Sequence, residues 1–516
     1  MGTHYKWTVL SNTSLGALMA SINMTIILIS LPAIFRGLHV NPADPSNFPY
    51  LLWTIMGYML ITAVVLVTIG RLSDIYGRVK LYKLGFFIFT VGSIACAFSQ
   101  NILQLIAFRM VQGFGGAFLF SNSAAIITDA FDVNERGKAL GINQISFLAG
   151  QFIGLILGGL LSPFGWNWLF WISVPVGMIG TIWAQINMKE IGVIIRNQRI
   201  DWSGNLTFGA GLTCILIGFT YGLVPYGTSE LGWSNPLVQL SLVVGVLLLV
   251  LFIFIEKKVS HPMFKLELFK IRAFSVGNSS LFISALSREG FMFMLIIWLQ
   301  GIWLPLHGFT IERAPFWAGV YMLPLTGGFI LMGPLSGYLS DKYGPRRFTV
   351  TGMTIVGLSF VWLATMPYNV AYWLLAVVIF LQGVGAGMFA SPNISMIMSS
   401  VPADKRGVAS GMRATMQNVA QSMSMTFYFT ILISALEVSF IGTSLSHLSP
   451  ASALFSVFLG IAPSGVDFKT FGEIFAPLFM SSLGLLFFIS ASLSFLAAVL
   501  SIKGENKALQ KNGPSK

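Results

Sequence analysis

A succession of long apolar segments limits the fold of this chain more strongly than any other feature. Fourteen runs have about 20 residues or more, the length that crosses the hydrocarbon core of a bilayer. Charged residues make up only 9% of the 516, against roughly 25% in an ordinary soluble domain. We therefore predict an all-α polytopic membrane protein with fourteen transmembrane helices. The predicted spans are 8–34, 50–70, 81–99, 102–128, 138–162, 167–188, 204–224, 236–255, 273–305, 315–337, 347–366, 372–398, 409–436 and 475–502.

The net charge of +12 is a topology signal and does not indicate nucleic-acid binding. With the N-terminus in the cytoplasm, 25 of the 30 Lys and Arg residues fall in cytoplasmic segments or at the cytoplasmic ends of spans. The start of the chain lacks a cleavage signal and is interpreted as a retained first helix. We predict a multi-pass protein of the plasma membrane, monomeric, with both termini cytoplasmic.

Three short motifs occur twice, at offsets of 267 and then 270 residues. The pairs are "GRLSDIYGRVK" at 70–80 with "GYLSDKYGPRR" at 337–347, "QGFGGAFLF" at 112–120 with "QGVGAGMFA" at 382–390, and "NERGKALG" at 134–141 with "DKRGVASG" at 404–411. Each motif occupies the same place in its unit, and the first copy of the loop motif follows the second span while the other follows the tenth. The seventh and eighth spans are therefore an inserted pair. The predicted domains are an N-terminal six-helix bundle at 1–190, a linker with two helices at 191–262, a C-terminal six-helix bundle at 263–503, and a cytoplasmic tail at 504–516.

These motifs resemble those of a known family of secondary transporters built from two parallel repeats. The cytoplasmic loop signature of the major facilitator superfamily is matched in resemblance by Gly70, Leu72, Asp74, Gly77, Arg78 and Lys80. The superfamily's fourth-helix motif resembles Arg109, Gln112 and Gly113. The start of the sixth helix in the fourteen-helix drug:proton antiporters resembles "WNWLFWISVPVG" at 166–177. The resemblance implies alternating access and export of drugs in exchange for protons.

The duplicated loop predicts a gate on the cytoplasmic side. Asp74 lies among basic residues that can form ion pairs with helix ends, and such pairs can latch two bundles in one state and break in the other. The alternative is that the basic residues only orient the loop. The predicted gate consists of Gly70, Asp74, Gly77, Arg78 and Lys80 in the first copy and Asp341, Arg346 and Arg347 in the second.

The fourth and fifth spans carry features that the second repeat lacks. Arg109 lies deep in its span and corresponds to Ile379, so the duplicated fold does not require a cation there. The resembled family places this arginine in proton transfer or in tuning an acid; the alternative is a buried arginine satisfied by backbone carbonyls. The fifth span has a predicted groove of small residues for close helix packing, formed by Gly150, Gly154, Gly158 and Gly159. Leu155 stands where the antiporter motif has proline, which weakens the inference of antiport.

A charged pair in the ninth span is the main candidate for proton coupling. The family's first-helix motif has an aspartate where this chain has Asn23, and an amide cannot take up and release a proton as a carboxylate does. Glu289 is then the acid expected in the hydrocarbon region, next to Arg288, with Arg109 as a further modulator. Two alternatives are an aqueous break that splits 273–305, and a structural ion pair with no transport role. Adjacent helical residues point about 100° apart, so we expect Arg288 and Glu289 to seek different partners or to face the cavity.

The predicted substrate cavity is lined by amides: Asn23, Asn122, Gln151, Asn278, Gln300, Gln417 and Gln421. The sequence has no Walker-type phosphate loop and no His or Cys spacing typical of a metal site, so we expect no cofactor, no metal and no enzymatic activity. The expected partners are the bilayer, a small organic substrate and protons. The leading hypothesis is proton-coupled export of amphipathic compounds. The alternatives are an importer or uniporter of the same fold, and a membrane sensor or lipid-handling protein without transport.

Overall fold

The computed structural model describes residues 3–41, 47–191, 201–227, 229–259, 262, 264–402, 405–459 and 468–503. Helices dominate these ranges, and no β-strand forms within them. Fourteen of the helical segments are long and apolar enough to cross a membrane, which confirms the predicted fold class. The predicted tail at 504–516 and residues 192–200 of the linker lie outside the described part of the chain.

The first six spans are formed by seven helices. They are α1 (Thr3–Gly37), α2 (Phe48–Tyr76), α3 (Arg78–Ala97), α4 (Ile102–Ala130), α5 (Val133–Leu161), α6 (Trp168–Trp171) and α7 (Ser173–Asn187). The sixth span is thus divided at Ile172, where the sequence predicts one continuous helix. Pro175 lacks the backbone N–H that would bond to the carbonyl of Trp171, which accounts for the interruption.

The inserted pair and the second set of six spans complete the chain. They are α8 (Trp202–Gly222), α9 (Pro236–Lys258), α10 (Arg272–Ile297), α11 (Leu304–Leu306), α12 (Ala314–Tyr321), α13 (Leu323–Tyr343), α14 (Pro345–Ala364), α15 (Tyr372–Ser399), α16 (Arg406–Phe440), α17 (Pro450–Leu459) and α18 (Phe468–Ile502). A π-helical segment, Trp298–Trp303, joins α10 to α11. The prediction of a span from 273 to 305 is therefore confirmed as a continuous helical path, and the proposed aqueous break at Arg288 is wrong.

Packing divides the chain into two compact units. Unit 1 comprises Met1–Met263, Met292–Tyr321 and Tyr428–Phe479, and unit 2 comprises Phe264–Phe291, Met322–Phe427 and Met480–Lys516. The boundaries fall inside α10, α16 and α18. Unit 1 therefore unites the first repeat and the inserted pair with the later parts of α10 and α16. The repeat boundaries at 190 and 262 describe duplication of the sequence and stay a prediction.

Aromatic side chains form much of the core of each unit. In unit 1, Tyr82 and Phe86 are fully buried and meet edge-on at a centroid distance of 5.3 Å. In unit 2, the rings of Phe291, Phe360 and Phe487 lie 5.3 to 6.0 Å from one another. Such ring pairs contribute roughly 0.5–1.5 kcal/mol beyond the area they bury.

Candidate functional site

Arg109 is buried at the centre of the first repeat, with 1% of its surface exposed. Its Nε donates to the Thr54 carbonyl at 3.4 Å, and its Nη1 donates to the Asn23 carbonyl at 3.2 Å and to Gln112 Oε1 at 2.6 Å. The guanidinium also lies 4.7 Å from the centroid of the Tyr58 ring. Each described acceptor is neutral, so backbone carbonyls, an amide and an aromatic face stabilise the cation in place of a carboxylate.

Gln112 connects Arg109 to the first helix. Its Nε2 donates to Asn23 Oδ1 at 3.0 Å and to Ser93 Oγ at 2.8 Å, while Asn23 Nδ2 donates to Ser173 Oγ at 2.7 Å and to the Met19 carbonyl at 3.0 Å. The amide of Asn23 thus uses both its donor and its acceptor, a role that a carboxylate cannot fill. We call Arg109, Gln112, Asn23, Ser93 and Ser173 the polar network.

Among the described residues of the second repeat, the equivalent positions form no matching network. At the equivalent positions, Ile379 replaces Arg109 and Phe360 replaces Ser93. Gln382 replaces Gln112, is 1% exposed, and its side-chain amide has no hydrogen-bond partner among the described residues. These three equivalent positions of the second repeat therefore carry no charge.

Arg288 and Glu289 form an ion pair on the continuous helix α10. Arg288 Nη2 lies 3.3 Å from Glu289 Oε1, and the two side chains are 24% and 26% exposed. The expectation that they would seek different partners is wrong, because the flexible arginine side chain folds across the 100° that separates the two positions. The pair remains incomplete, since Arg288 Nε is buried without a hydrogen-bond partner in the described part of the chain.

Backbone contacts fix this part of α10 against α16. Ser424 Oγ donates to the Leu286 carbonyl at 2.7 Å and accepts from the Gly290 N–H at 2.9 Å. On an adjoining face of the helix, Ser494 Oγ of α18 donates to Ser287 Oγ at 3.2 Å. The Ser424 hydroxyl therefore fixes α16 against the turn of α10 that carries Arg288 and Glu289.

The loop between α2 and α3 is held by acids that the sequence analysis did not assign to it. Arg78 Nη1 lies 2.8 Å from both oxygens of Asp129, at the end of α4. Glu190 Oε2 accepts from the N–H of Val79 at 2.9 Å, at the N-terminus of α3 where unpaired N–H groups favour an anion. The only available signal was that Asp129 is an acid at the edge of its span.

The other predicted gate residues are placed as follows. Gly77 and Gly344 have φ values of +103° and +86°, which a residue with a side chain rarely adopts, and each ends a helix at the same point of its repeat. Gly70 lies close to Ser121, Lys80 and Arg347 are exposed, and Arg346 is half-buried. The side chains of Asp74 and Asp341 lie outside the described part of the structure.

The predicted groove on α5 is a packing surface. A methyl group on Gly150 would overlap Ser21 Oγ, and one on Gly154 would lie 2.7 Å from the Ile22 carbonyl. One on Gly158 would lie 2.8 Å from the Ile26 carbonyl, so these three glycines receive α1. Gly159 faces elsewhere, because a methyl group there would lie 2.6 Å from the backbone nitrogen of Phe316 on α12.

The contact between α5 and α12 lies within unit 1 and joins segments of the two repeats. Leu155 is 1% exposed, and its carbonyl oxygen lies 3.1 Å from the position of a methyl group on Gly319. Leu155, at the position where the resembled motif has proline, therefore forms part of a close inter-helix contact.

The predicted cavity residues fall into two groups. The first is buried and consists of Asn23, Asn122, Asn278 and Gln300. The second is half-buried and consists of Gln151, Gln417 and Gln421. Arg413, which the sequence analysis counted as a topology charge, donates from Nη1 to Gln417 Oε1 at 3.0 Å. The spacing of Arg413, Gln417 and Gln421 on one helix was the signal that could have revealed it.

Comparison with known proteins decides the family. The family model described as Major Facilitator Superfamily matches residues 13–287 and 206–425. This chain belongs to the Major Facilitator Superfamily. It is therefore a multi-pass membrane transporter and not an enzyme, and the hypothesis of a non-transporting sensor has no support from this assignment.

Curated relatives of this superfamily member are transport proteins. The riboflavin transporter RibZ of Clostridioides difficile strain 630 is 29% identical over 435 residues, which are 84% of this chain and 89% of the relative. The tetracenomycin C resistance and export protein of Streptomyces glaucescens is 26% identical over 514 residues, 96% of this chain and 91% of the relative. The multidrug resistance protein 3 of Bacillus subtilis strain 168 is 26% identical over 419 residues, 81% of this chain and 78% of the relative.

Solved structures of the superfamily share the fold. A bacterial homologue of the human lysosomal transporter Spinster, in an inward-facing and unoccupied conformation, aligns with a TM-score of 0.60 at 16% identity over 98% of this chain and 100% of that one. The xylose transporter XylE from E. coli aligns with a TM-score of 0.56 at 13% identity over 96% and 97% of the two chains. At such identities the likeness is one of fold.

Proposed function

We propose that this transporter exports amphipathic organic compounds across the plasma membrane by alternating access, in exchange for protons, with Glu289 as the proton carrier. The observation that carries the proposal is the ion pair of Glu289 with Arg288 on the continuous helix α10. An ionised pair at membrane depth is costly and is retained where it serves transport. The relatives named as resistance and export proteins support this direction.

Protonation of Glu289 removes its charge and releases Arg288. In the carboxylate state Glu289 Oε1 is held at 3.3 Å from the guanidinium, and both side chains are about a quarter exposed, so water can reach them. Neutral Glu289 no longer attracts Arg288, which is then free to pair with another group. A carrier of this kind couples two gradients because proton affinity differs between its two facing states.

Two sets of contacts supply the alternating closure in this proposal. On one side, α5 and α12 approach closely at Gly159 and Gly319 within unit 1. On the other, the loop after α2 carries the Arg78–Asp129 ion pair and the predicted gate residues. Glycine at the first set permits a close, reversible contact. At the second set, the Arg78–Asp129 pair joins α3 to α4 and positions the loop, whose predicted gate residues form ion pairs that break with the state.

The polar network positions α1 and α4 around a fixed charge in this proposal. Arg109 is fully buried and bonded to neutral acceptors, so it contributes a constant positive potential and does not itself exchange protons. Its role in coupling is to favour the anionic state of whatever substrate or acid approaches the centre of the protein.

The proposal is tested with purified protein in liposomes under an imposed pH gradient, using a panel of fluorescent drugs and dyes. The wild type is expected to accumulate compounds against their own gradient. Glu289→Gln is expected to lose this uphill transport while keeping exchange of labelled for unlabelled compound. The matched control is Glu437→Gln, because Glu437 is an exposed acid near the end of α16. Uphill transport that persists unchanged in Glu289→Gln rules out the proton role.

A uniporter or importer of the same fold is the second candidate. It is favoured by Asn23, which stands where the resembled family has an acid and is fully engaged in the polar network. The riboflavin transporter among the relatives is also consistent with it. Wild-type flux that runs only downhill, with no response to the pH gradient, would identify this case.

A further inference from the structure

The structure assigns to unit 2 a polar stripe on α16 that binds the anionic group of an amphipathic substrate, with Arg413 as its cationic centre. We define this stripe as Arg413, Gln417, Gln421 and Ser424. The assignment deepens the proposed transport function, on which it rests, by naming the substrate class: compounds that join an apolar body to a carboxylate, sulfonate or similar acid.

The four residues lie on one side of the helix. Steps of 4, 4 and 3 residues separate them, close to the 3.6-residue turn. The stripe extends about 16 Å along α16, from Arg413 to Ser424. At its far end, Ser424 bonds to the backbone of Leu286 and Gly290, on either side of Arg288 and Glu289. The stripe is therefore continuous with the proposed proton carrier, within one compact unit.

Three of the four stripe residues are partly exposed, whereas Ser424 is fully buried against α10. Arg413, Gln417 and Gln421 are each half-buried, although they lie inside a segment, Val408–Phe440, that is apolar enough to cross the membrane. Long polar side chains at such depth face an aqueous interior, because exposure to lipid is costly. Fully buried amides such as Asn278 do not share this accessibility.

The charge balance of this region favours an anion. Arg288 and Glu289 largely offset one another as an ion pair, whereas Arg413 hydrogen-bonds among the described residues to the neutral amide of Gln417. A guanidinium has five N–H donors in a planar fork that matches a carboxylate or sulfonate. The bond to Gln417 Oε1 occupies one donor and orients the fork, which leaves the others for a ligand.

The first repeat shows that the fold does not require this charge. Asn143 occupies the position equivalent to Arg413 and accepts from Ser123 Oγ at 3.2 Å, and Phe147 occupies the position equivalent to Gln417. A purely structural role common to both repeats would have the same chemistry in both. The cation is a property of the second repeat, where the candidate proton carrier also lies.

Two probes with one skeleton test the assignment. 8-Anilinonaphthalene-1-sulfonate carries a sulfonate that N-phenyl-1-naphthylamine lacks, and both fluoresce on binding. With purified protein in a neutral detergent, Arg413→Gln is expected to weaken binding of the sulfonate by about 10-fold or more, the contribution of a charge-assisted hydrogen bond. Binding of the neutral amine should change by less than about 2-fold, and Arg413→Lys should recover part of the sulfonate affinity.

The controls separate the possible failures. Arg272→Gln removes an exposed arginine at the start of α10 and should leave both affinities unchanged. Equal weakening of both probes by Arg413→Gln, or equal wild-type affinity for both, overturns the assignment. So does a loss confined to phosphatidylglycerol binding, measured by titrating that lipid, which would make Arg413 a headgroup contact. Because binding needs no gradient, these results are independent of whether transport is proton-coupled.

Discussion

A single buried arginine shows how this protein tolerates charge in its interior. Arg109 has no described acidic partner and is held by two backbone carbonyls, one amide oxygen and the face of Tyr58. Isolated charges are expensive to bury, so each of these contacts offsets part of the desolvation penalty. The sequence alternative of an arginine satisfied by carbonyl groups agrees with this geometry, while its part in coupling stays a prediction.

Replacement of Arg109 by alanine should destabilise the folded protein more than replacement of an exposed arginine. It leaves the Gln112 amide oxygen without its 2.6 Å donor and creates a cavity against Tyr58. We expect a loss of about 3 kcal/mol, measured by denaturant unfolding in detergent. Arg109→Ile, which copies Ile379 of the second repeat, should lose less because it fills the cavity. Arg36→Ala is the exposed control, and equal stability of Arg109→Ala and the wild type would contradict the prediction.

Between elements, one helix carries two interfaces with different partner helices. Gly150, Gly154 and Gly158 of α5 receive α1 along about two turns, while Gly159 receives α12. The sequence predicted the groove, because small residues at helical spacing indicate close packing. The sequence did not predict that the adjacent Gly158 and Gly159 would contact different helices. The spacing of small residues does not show which helix packs against them.

Residue spacing does not identify the facing helix, and this explains which parts of the site could be predicted. The lengths of the apolar runs give the number of membrane spans, and the repeated motifs give the duplication. The sequence alone therefore predicts both. The Arg78–Asp129 ion pair joins residues 51 positions apart. It depends on how α3 and α4 are rotated relative to each other, which the periodicity of the sequence does not give. The ion pair of Arg288 and Glu289 was only an alternative in the sequence analysis, because ideal side-chain directions do not include the reach of an arginine.

Adding a methyl group at Gly159 should impair transport without unfolding the protein. The new group would overlap the backbone of Phe316, which cannot rotate away as a side chain can. We expect Gly159→Ala to destabilise the contact between α5 and α12 by about 1–3 kcal/mol and to lower the initial rate of transport in liposomes. Gly141→Ala is the control on the same helix, because no atom lies within 4 Å of its added methyl group. An unchanged rate in Gly159→Ala would show that the contact is not part of the cycle.

At the scale of the whole molecule, the two repeats carry different charged groups. The first holds a fixed, buried cation in a network of neutral groups, and the second holds a half-exposed ion pair together with a half-buried arginine. Equivalent positions carry Arg109 and Ile379, or Asn143 and Arg413, so the two repeats place their charges at different positions of the duplicated pattern. Internal symmetry of this kind provides the two similar halves that alternating access requires.

Alternating access predicts opposite changes of exposure at Leu155 of α5 and Gln421 of α16 during transport. In a background with Cys96→Ala and Cys214→Ala, which removes both native cysteines, Leu155→Cys should react slowly with a water-soluble maleimide because Leu155 is 1% exposed. Gln421→Cys should react quickly, since Gln421 is half-buried on the polar stripe. Under an imposed proton gradient with substrate present, labelling of Leu155→Cys should rise and that of Gln421→Cys should fall, because a transporter that turns over populates both facing states. Labelling rates that do not change with the gradient or with substrate at either position would mean that the contact between α5 and α12 stays closed during transport.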